Sequence, residues 1–554
     1  MERVWHQSYD SGIPPEINVT PFESLVHSML HFTQKFSDQV AFSNFDVPMT
    51  YAELAQRSKD LAAYMQTHFN IQKGDRVAIM MPNLLQYPVT VYAVLSLGAV
   101  VVNINPLYTP RELKHALHDS GAKAIFICDN FAKTLQEVIQ DVNLEHVVLT
   151  GLGDFLGFKG KVINFVVKYI KKMVPPHQIP GALRLSNIMR TAQHLSFNPV
   201  KLSLDDLAFL QYTGGTTGPS KGAELTHRNI MANANQFRVW AKSIMRIGEE
   251  VFVTPLPMYH IFSLTVGCFA LLGIGAECMM ITNPRDIDGF VKILGKRMGT
   301  VFVGINTLFN ALAMHPGMKK VDFSPLRFSA SGGMATQHAV DEKWHALTGT
   351  HIIEGYGLTE TSPVVSFSPC SVKKFSGSVG FPLPNTDVKV VDREGNALPF
   401  GEKGEIWVKG PQVMRGYWQR PDETAHALTA DGWFKTGDIA LQDEEGWIYL
   451  VDRKKDMVIV SGFNVYPNEI EKVLVEHEGV SEAAVIGVPC EKTGEAVKAF
   501  IVKTDPGLEA SDIINFCKKH MTNYKVPKQI EFIDELPKSN VGKLLRRELR
   551  QPAK

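Results

Sequence analysis

The stretch LQYTGGTTGPSKG, Leu210–Gly222, decides how the rest of this chain is read. Its apolar start, Leu207–Tyr212, predicts a buried strand. The strand runs into Thr213-Gly214-Gly215-Thr216-Thr217-Gly218, with Lys221 close behind. Glycines let a backbone approach a ligand closely and turn its N–H groups toward it. Threonine hydroxyls add donors and Lys221 adds a charge, so the segment suits a polyphosphate. It is not a Walker A loop, because G-x-x-x-x-G-K-[ST] does not match here. By letter, Gly218–Gly222 fits G-x-S-x-G. A nucleophile elbow needs its serine at a sharp strand-to-helix turn, however, and Ser220 stands well beyond Tyr212.

Outward from this loop, strand and helix patterns alternate from about residue 40 to residue 340. Arg76–Met81 predicts a strand, Tyr87–Leu97 a helix, Val100–Ile104 a strand, Arg111–His118 a helix and Lys123–Cys128 a strand. Such βαβ alternation predicts a parallel sheet covered by helices on both faces. After about residue 375, Gly, Pro and Asp punctuate short strands such as Asp387–Val391, Gly404–Val408 and Gly446–Val451. From Asp452 the pattern predicts a small α+β unit: helix Pro467–His477, strands Ala483–Val488 and Val497–Val502, helix Ser511–His520 and strand Gln529–Ile533.

Further motifs follow in order. They are Gly355-Tyr356-Gly357-Leu358-Thr359-Glu360, Thr436-Gly437-Asp438, the charged run Asp452–Asp456, and Pro537-Lys-Ser-Asn-Val-Gly-Lys543. Together with Tyr212–Gly222, this ordered set resembles the adenylate-forming superfamily of acyl-CoA synthetases, luciferases and peptide-synthetase adenylation domains. Asp431–Lys455, Met81–Tyr87 and Asn105–Glu112 are similar to fatty acyl-CoA synthetases in particular.

The resemblance implies an α/β fold with a large N-terminal adenylate-forming domain, residues 1–452, made of two α/β subdomains and a small β-barrel. A small mobile α+β lid follows, residues 453–554. It implies ATP-dependent activation of a long-chain fatty acid through acyl-AMP. Thioester formation with CoA then releases AMP, pyrophosphate having left in the first step. ATP and CoA are co-substrates and Mg²⁺ the metal.

Residue by residue, the resemblance carries over as follows. Thr213, Gly214, Gly215, Thr216, Thr217, Gly218 and Lys221 would cradle phosphates. Glu360 would ligate Mg²⁺ with Thr216 near it, one carboxylate plus substrate oxygens being the usual magnesium arrangement. Tyr356 would stack on adenine between Gly355 and Gly357, with Thr359 beside them and Ser331-Gly332-Gly333 bordering the ring. Asp438 and Arg453 would hold the ribose. Lys455 would be the hinge and Gly462 would line the pantetheine path. His260 would border the carboxylate pocket. Lys543 would stabilise charge as the mixed anhydride forms. The apolar runs His260–Leu272 and Gly304–Leu312 are expected to wall an acyl tunnel. Two rivals share the motif set: a fatty acyl-AMP ligase and an aryl-acid CoA ligase. A third, outside catalysis, is a membrane-associated binding protein with a decayed site.

Composition narrows the classes. The 554 residues carry 57 Lys+Arg and 57 Asp+Glu, so no nucleic-acid partner is expected. The six cysteines form no C-x-x-C pair, the usage of a reducing compartment. Met1–Ile17 has no apolar core of a secretory leader, and Ile261–Ala276 is too short to span a bilayer. A cytoplasmic protein is therefore expected, possible as a homodimer by the family resemblance. Lys159–Met173 (KGKVINFVVKYIKKM) has apolar and basic residues at helical spacing. It predicts peripheral contact with the cytoplasmic membrane face. His115 and His118 lack metal-ligand company and read as surface residues.

Overall fold

The computed structural model describes residues 3–213, 220–490, 492–539 and 544–550. Two large sheets dominate. The seven-stranded sheet runs in the order Leu183–Arg184, His146–Thr150, Ala124–Cys128, Arg76–Met80, Val100–Asn103, Leu207–Thr213 and Lys221–Thr226. All neighbours are parallel except the last pair, which is antiparallel. The nine-stranded sheet runs Phe381–Pro382, Val364–Phe367, Ile352–Gly357, Phe328–Gly332, Val301–Gly304, Val251–Thr254, Glu277–Met280, Val40–Asn44 and Val47–Thr50. Its six central strands are parallel.

Local chemistry explains the covering helices. Tyr51–His68 starts at a reciprocal Thr50/Glu53 cap, and Pro110–Ser120 at a Thr109/Glu112 cap with proline in its first turn. Gln86–Ser96 is buried along its whole length, which matches a sequence with no charge in it. The shared core joins both sheets through Phe209, Tyr87, Tyr92, Trp240 and Phe252.

The expected β-rich part is a four-stranded antiparallel meander of Asp387–Val391, Gly404–Lys409, Phe434–Gln442 and Ile448–Arg453. After it comes a sheet of Val458–Val460, Phe463–Val465, Val480–Cys490, Gly494–Lys503 and Gln529–Phe532, covered by helices Pro467–Leu474 and Ala510–His520. It has its own core around Ile470, Val485, Val497 and Ile513. The architecture is thus α/β with a large N-terminal and a small C-terminal domain.

Ile261–Ala276 is not a regular helix. A short turn Ile261–Ser263 leads into a π-helical stretch, Leu264–Ala270, and a 3₁₀ turn, Leu271–Ile274. Among the described residues no helix is long and apolar enough to cross a membrane.

Candidate active site

Binding sites in open parallel sheets form outside the carboxyl ends of the strands, and the expected residues cluster there. Leu207–Thr213 leads to the glycine-rich loop, and Lys221–Thr226 returns antiparallel, with Thr213 opposite Lys221. Ser220 therefore sits in a hairpin connection and not at a strand-to-helix elbow. Gly214, Gly215, Thr216, Thr217 and Gly218 lie outside the described residues, as does Lys543.

Around the loop's exit the partners are specific. Lys221 pairs with the Glu423 carboxylate, and its ammonium lies 5.3 Å from the Tyr417 ring centre. The Tyr417 hydroxyl donates to Glu360 Oε1 at 2.8 Å, and the Glu360 carbonyl accepts from Met414 N at 2.8 Å. So Glu360 is held half-buried beside Lys221. His115, expected on the surface, is half-buried instead. Its Nε2 lies 2.8 Å from the Ser220 carbonyl, which ties the loop to helix Pro110–Ser120.

In the nine-stranded sheet two glycine-bearing strand ends lie side by side, Ser331 opposite Glu354 and Gly332 opposite Gly355. The glycines are needed for close approach: a Cβ on Gly332 would meet Phe262 Cε1 at 3.2 Å, and one on Gly355 would meet Phe367 Cδ2 at 2.5 Å. Gly333 takes φ +83°, where the chain turns away from the sheet. Gly357 packs on the Pro363 carbonyl, with Thr359 opening the next turn.

Tyr356, on the strand Ile352–Gly357, is buried, and its hydroxyl donates to Asp438 Oδ2 at 2.7 Å. Arg453 Nε lies 3.3 Å from Asp438 Oδ1, the two residues facing each other across adjacent strands. Burial and the neighbouring Asp438 hold the Tyr356 hydroxyl in its neutral, donating form.

Sequence patterns gave no sign of Glu405 or Glu354, which support the expected junction residues and the strand ends. Glu405 accepts from Gly437 N at 3.0 Å and from Lys454 Nζ at 2.9 Å, so one buried carboxylate holds both the T-G-D turn and the charged junction. Burial pushes the Asp452 carboxyl up to about 6, and its oxygens accept from Asn468 N and Arg453 N. Burial, with Arg453 beside it, pushes the Lys455 ammonium down to about 8. Gly462 has φ +87° with no heavy atom within 4 Å of an added Cβ, so it leaves open space in the turn after Val458–Val460. Glu354 is buried under Thr336, whose N–H it accepts at 2.8 Å, and burial pushes its carboxyl up to about 7.

A polar chain joins the loop strand to the segment before His260. Asn103 Nδ2 donates to Gln211 Oε1 at 3.0 Å, and Gln211 Nε2 donates to the Tyr259 carbonyl at 2.6 Å. Tyr87 Oη lies 2.7 Å from Asn103 Oδ1 and 2.8 Å from the Met258 carbonyl. Asn83 Nδ2 reaches the Thr254 and Leu256 carbonyls, while its Oδ1 accepts from Met258 N at 2.8 Å. The motif Met81–Tyr87 thus works as a scaffold under Pro255–His260. His260 itself caps the turn Ile261–Ser263.

Beside that turn is a narrow apolar cavity of about 10 Å³, lined by residues that include Leu256, Phe262, Val266, Gly267, Leu271 and Val303. It has room for about one water. Residues of the run His260–Leu272 line this cavity, and none of Gly304–Leu312 is among its lining residues. Alternation along Val301–Gly304 points Val303 at the cavity and Gly304 at the opposite layer, where an added Cβ would meet Phe309 at 3.1 Å.

For a divalent cation the described residues offer the Glu360 carboxylate but no group of three or more His, Cys, Asp or Glu able to hold a metal. A single carboxylate oxygen donor fits Mg²⁺, which takes one or two carboxylates plus substrate phosphates.

Two family profiles match the chain: "AMP-binding enzyme" over residues 30–418 and "AMP-binding enzyme C-terminal domain" over residues 469–543. The long-chain-fatty-acid–CoA ligase of Salmonella typhimurium is 52% identical over 555 residues, covering 100% of this chain and 99% of its own. The protein of the same name from Bacillus subtilis is 36% identical over 553 residues, covering 99% and 98%. Among solved structures, ATP-bound MatB from Rhodopseudomonas palustris superposes with a TM-score of 0.82 at 30% identity, covering 95% of this chain and 98% of that one.

Proposed function

The chain belongs to the AMP-binding enzyme family, and from that premise we propose that it joins a long-chain fatty acid to coenzyme A using ATP. The observation that carries this reading is the end-to-end 52% identity to a long-chain-fatty-acid–CoA ligase. The fatty-acid carboxylate attacks the α-phosphate of ATP, giving acyl-AMP and pyrophosphate. The CoA thiol then attacks the acyl carbon, giving the thioester and AMP. No covalent bond to the protein forms in either step.

The residues divide the work. Asp438, fixed by Tyr356 and Arg453, is an acceptor matched to the ribose diol. Tyr356 and the flat strand ends at Gly332 and Gly355 offer the adenine its surface. Lys221 and the loop before it bind phosphates. Glu360 would hold Mg²⁺, which when bound neutralises charge on the phosphate oxygens. Lys543 would stabilise charge at the α-phosphate during adenylation. Much of the gain is positioning, which in each step converts a meeting of two reactants into one aligned complex.

The acyl chain would enter past His260 and Phe262 into the cavity beside Gly267, pushing the π-helical wall Leu264–Ala270 outward. The lid would comprise residues 453–554 and turn at Lys455, bringing Gly462 to the pantetheine path. The protein would work in the cytoplasm, peripheral to the membrane, with a homodimer as the expected assembly.

The test is AMP release that needs both ATP and CoA, with palmitate, octanoate and coumarate compared. Palmitate should be turned over most efficiently. Preference for coumarate would make the chain an aryl-acid ligase, and acyl-AMP accumulation indifferent to CoA would make it an acyl-AMP ligase.

A further inference from the structure

Among the described residues, one element gathers the largest run of exposed apolar side chains. The α-helix Gly157–Phe165 continues through a π-helical turn, Val166–Ile170. Its inner face is a small anchoring surface. Gly160 lies against the Gly153 carbonyl, where a Cβ would collide. Asn164 accepts from Gly153 N at 2.8 Å and donates to Asp154 Oδ1 at 2.9 Å. Ile163 packs on the core.

The outer face carries Phe158, Val162, Phe165 and Tyr169, spaced as one helical stripe, with exposed Met173 just past the helix end. Phe158 is 81% exposed and Ile170 beside the stripe 65%. A surface helix ordinarily turns its apolar stripe inward. This one is turned out, and a contiguous exposed apolar patch marks an interaction site.

The charges identify the partner. From Phe155 to Leu204 there is no Asp or Glu, while eight Lys or Arg occur, in a chain whose acids and bases balance overall. Lys161, Lys168, Lys171 and Lys172 flank the stripe and are exposed. We propose that this helix docks on an anionic lipid bilayer, the apolar stripe entering between acyl chains and the lysines meeting headgroup phosphates. A second copy of the chain fits less well, because a twofold contact through the stripe would set lysines against lysines.

The inference rests on the fatty-acid reading above, since a long-chain acid partitions into bilayers. The helix follows His146–Thr150 at the carboxyl edge of the seven-stranded sheet, the edge from which Leu207–Thr213 enters the phosphate loop. Lys159 reaches the Phe45 carbonyl and lies 3.2 Å from Asp46, in the turn that joins the edge strands Val40–Asn44 and Val47–Thr50 of the nine-stranded sheet, so the docking element touches both sheet units. Docking would therefore present the active-site edge to the membrane that holds the substrate.

The test uses the full-length protein and flotation with phosphatidylcholine vesicles, with or without about one quarter phosphatidylglycerol, in about 0.1 M salt. The parent should float with the anionic vesicles and far less with the neutral ones. A Phe158→Glu/Phe165→Glu/Tyr169→Glu variant and a Lys161→Glu/Lys168→Glu/Lys171→Glu/Lys172→Glu variant should each partition at least about tenfold less. Vesicle-free, CoA-dependent AMP release with octanoate tests the enzymatic reading separately and should persist in both. A parent that does not float, or variants that float like it, overturns the inference. So does light scattering in which the apolar variant turns a dimer into a monomer while vesicle binding stays unchanged. If a variant unfolds, Phe165→Ser with Lys168→Gln carries the same comparison.

Discussion

Tyr356 and Asp438 lie 82 residues apart in sequence, yet the phenol donates to the carboxylate at 2.7 Å inside the protein. A hydrogen bond to a charged group of this kind contributes about 1.5–3 kcal/mol. With Arg453 it also fixes the orientation of the Asp438 carboxylate proposed to meet the ribose diol. Tyr356→Phe keeps the aromatic surface but frees Asp438 to rotate. We expect KM for ATP to rise about tenfold while the melting temperature falls by a few degrees at most. Unchanged nucleotide affinity in the Phe variant, read by isothermal titration, would remove Asp438 orientation from the site.

Glu354 gives a pH signature. Burial raises its carboxyl to about 7 from an ordinary value of 4.5. The folded state therefore binds this proton more tightly than the unfolded chain does. Its contribution is intact below about pH 4.5 and is lost as pH rises through about 7, a loss on the order of 3 kcal/mol. Glu354→Gln keeps an acceptor for Thr336 N and has no charge to bury. Urea unfolding should show the variant gaining on the parent between pH 5 and pH 8, with a plateau above. Parallel stability curves across that range would mean Glu354 titrates normally.

Gly267 sits in the wall of the apolar cavity proposed to take the acyl chain, where an added Cβ would come within 3.2 Å of Met258 Cε. Gly267→Phe should fill the path and shift preference from palmitate toward octanoate. Each methylene excluded forfeits about 0.8 kcal/mol, so the palmitate/octanoate ratio of kcat/KM should fall by at least about a hundredfold. Gly304→Ala, on the opposite face of its strand, should leave that ratio alone and cost stability instead. A reversed pattern would put the tunnel in the other layer.

The two steps of the reaction should separate by mutation. Lys543→Ala should slow acyl-AMP formation by about 10²–10³ and largely spare thioester formation from supplied acyl-AMP. Lys455→Pro should do the opposite, because a fixed φ stalls a turning point. Single-turnover measurement of each half-reaction in each variant decides the matter. Equal loss of both steps in both proteins would contradict a lid turning at residue 455.

Much of the architecture was legible in the sequence because its signals are local. The βαβ alternation, the Thr109/Glu112 cap and the glycine-threonine run at 213–218 each depend on neighbours a few residues away. The ordered motifs likewise single out Tyr356, Glu360, Asp438 and Arg453 from sequence alone. The partners of those residues are another matter. Tyr417 on Glu360, Glu405 under Gly437 and Lys454, His115 on the Ser220 carbonyl, and the Asn103–Gln211–Tyr259 chain pair residues that only the packing of two sheets brings together.

The direction of a face was likewise beyond local reading. The strand Val301–Gly304 is apolar on both sides, so periodicity could not say which residues face the cavity. Stacking the layers assigned Val303 to it and Gly304 away from it. At Lys159–Met173 the spacing predicted an amphipathic helix. Only the seating of Gly160 and Asn164 against Gly153 and Asp154 turned its apolar stripe outward. Sequence by itself determined the elements and named the candidate site residues, through short-range propensity and motif chemistry. The tertiary structure decided which face of each element meets ligand, core or solvent, because that depends on long-range contacts between chain segments.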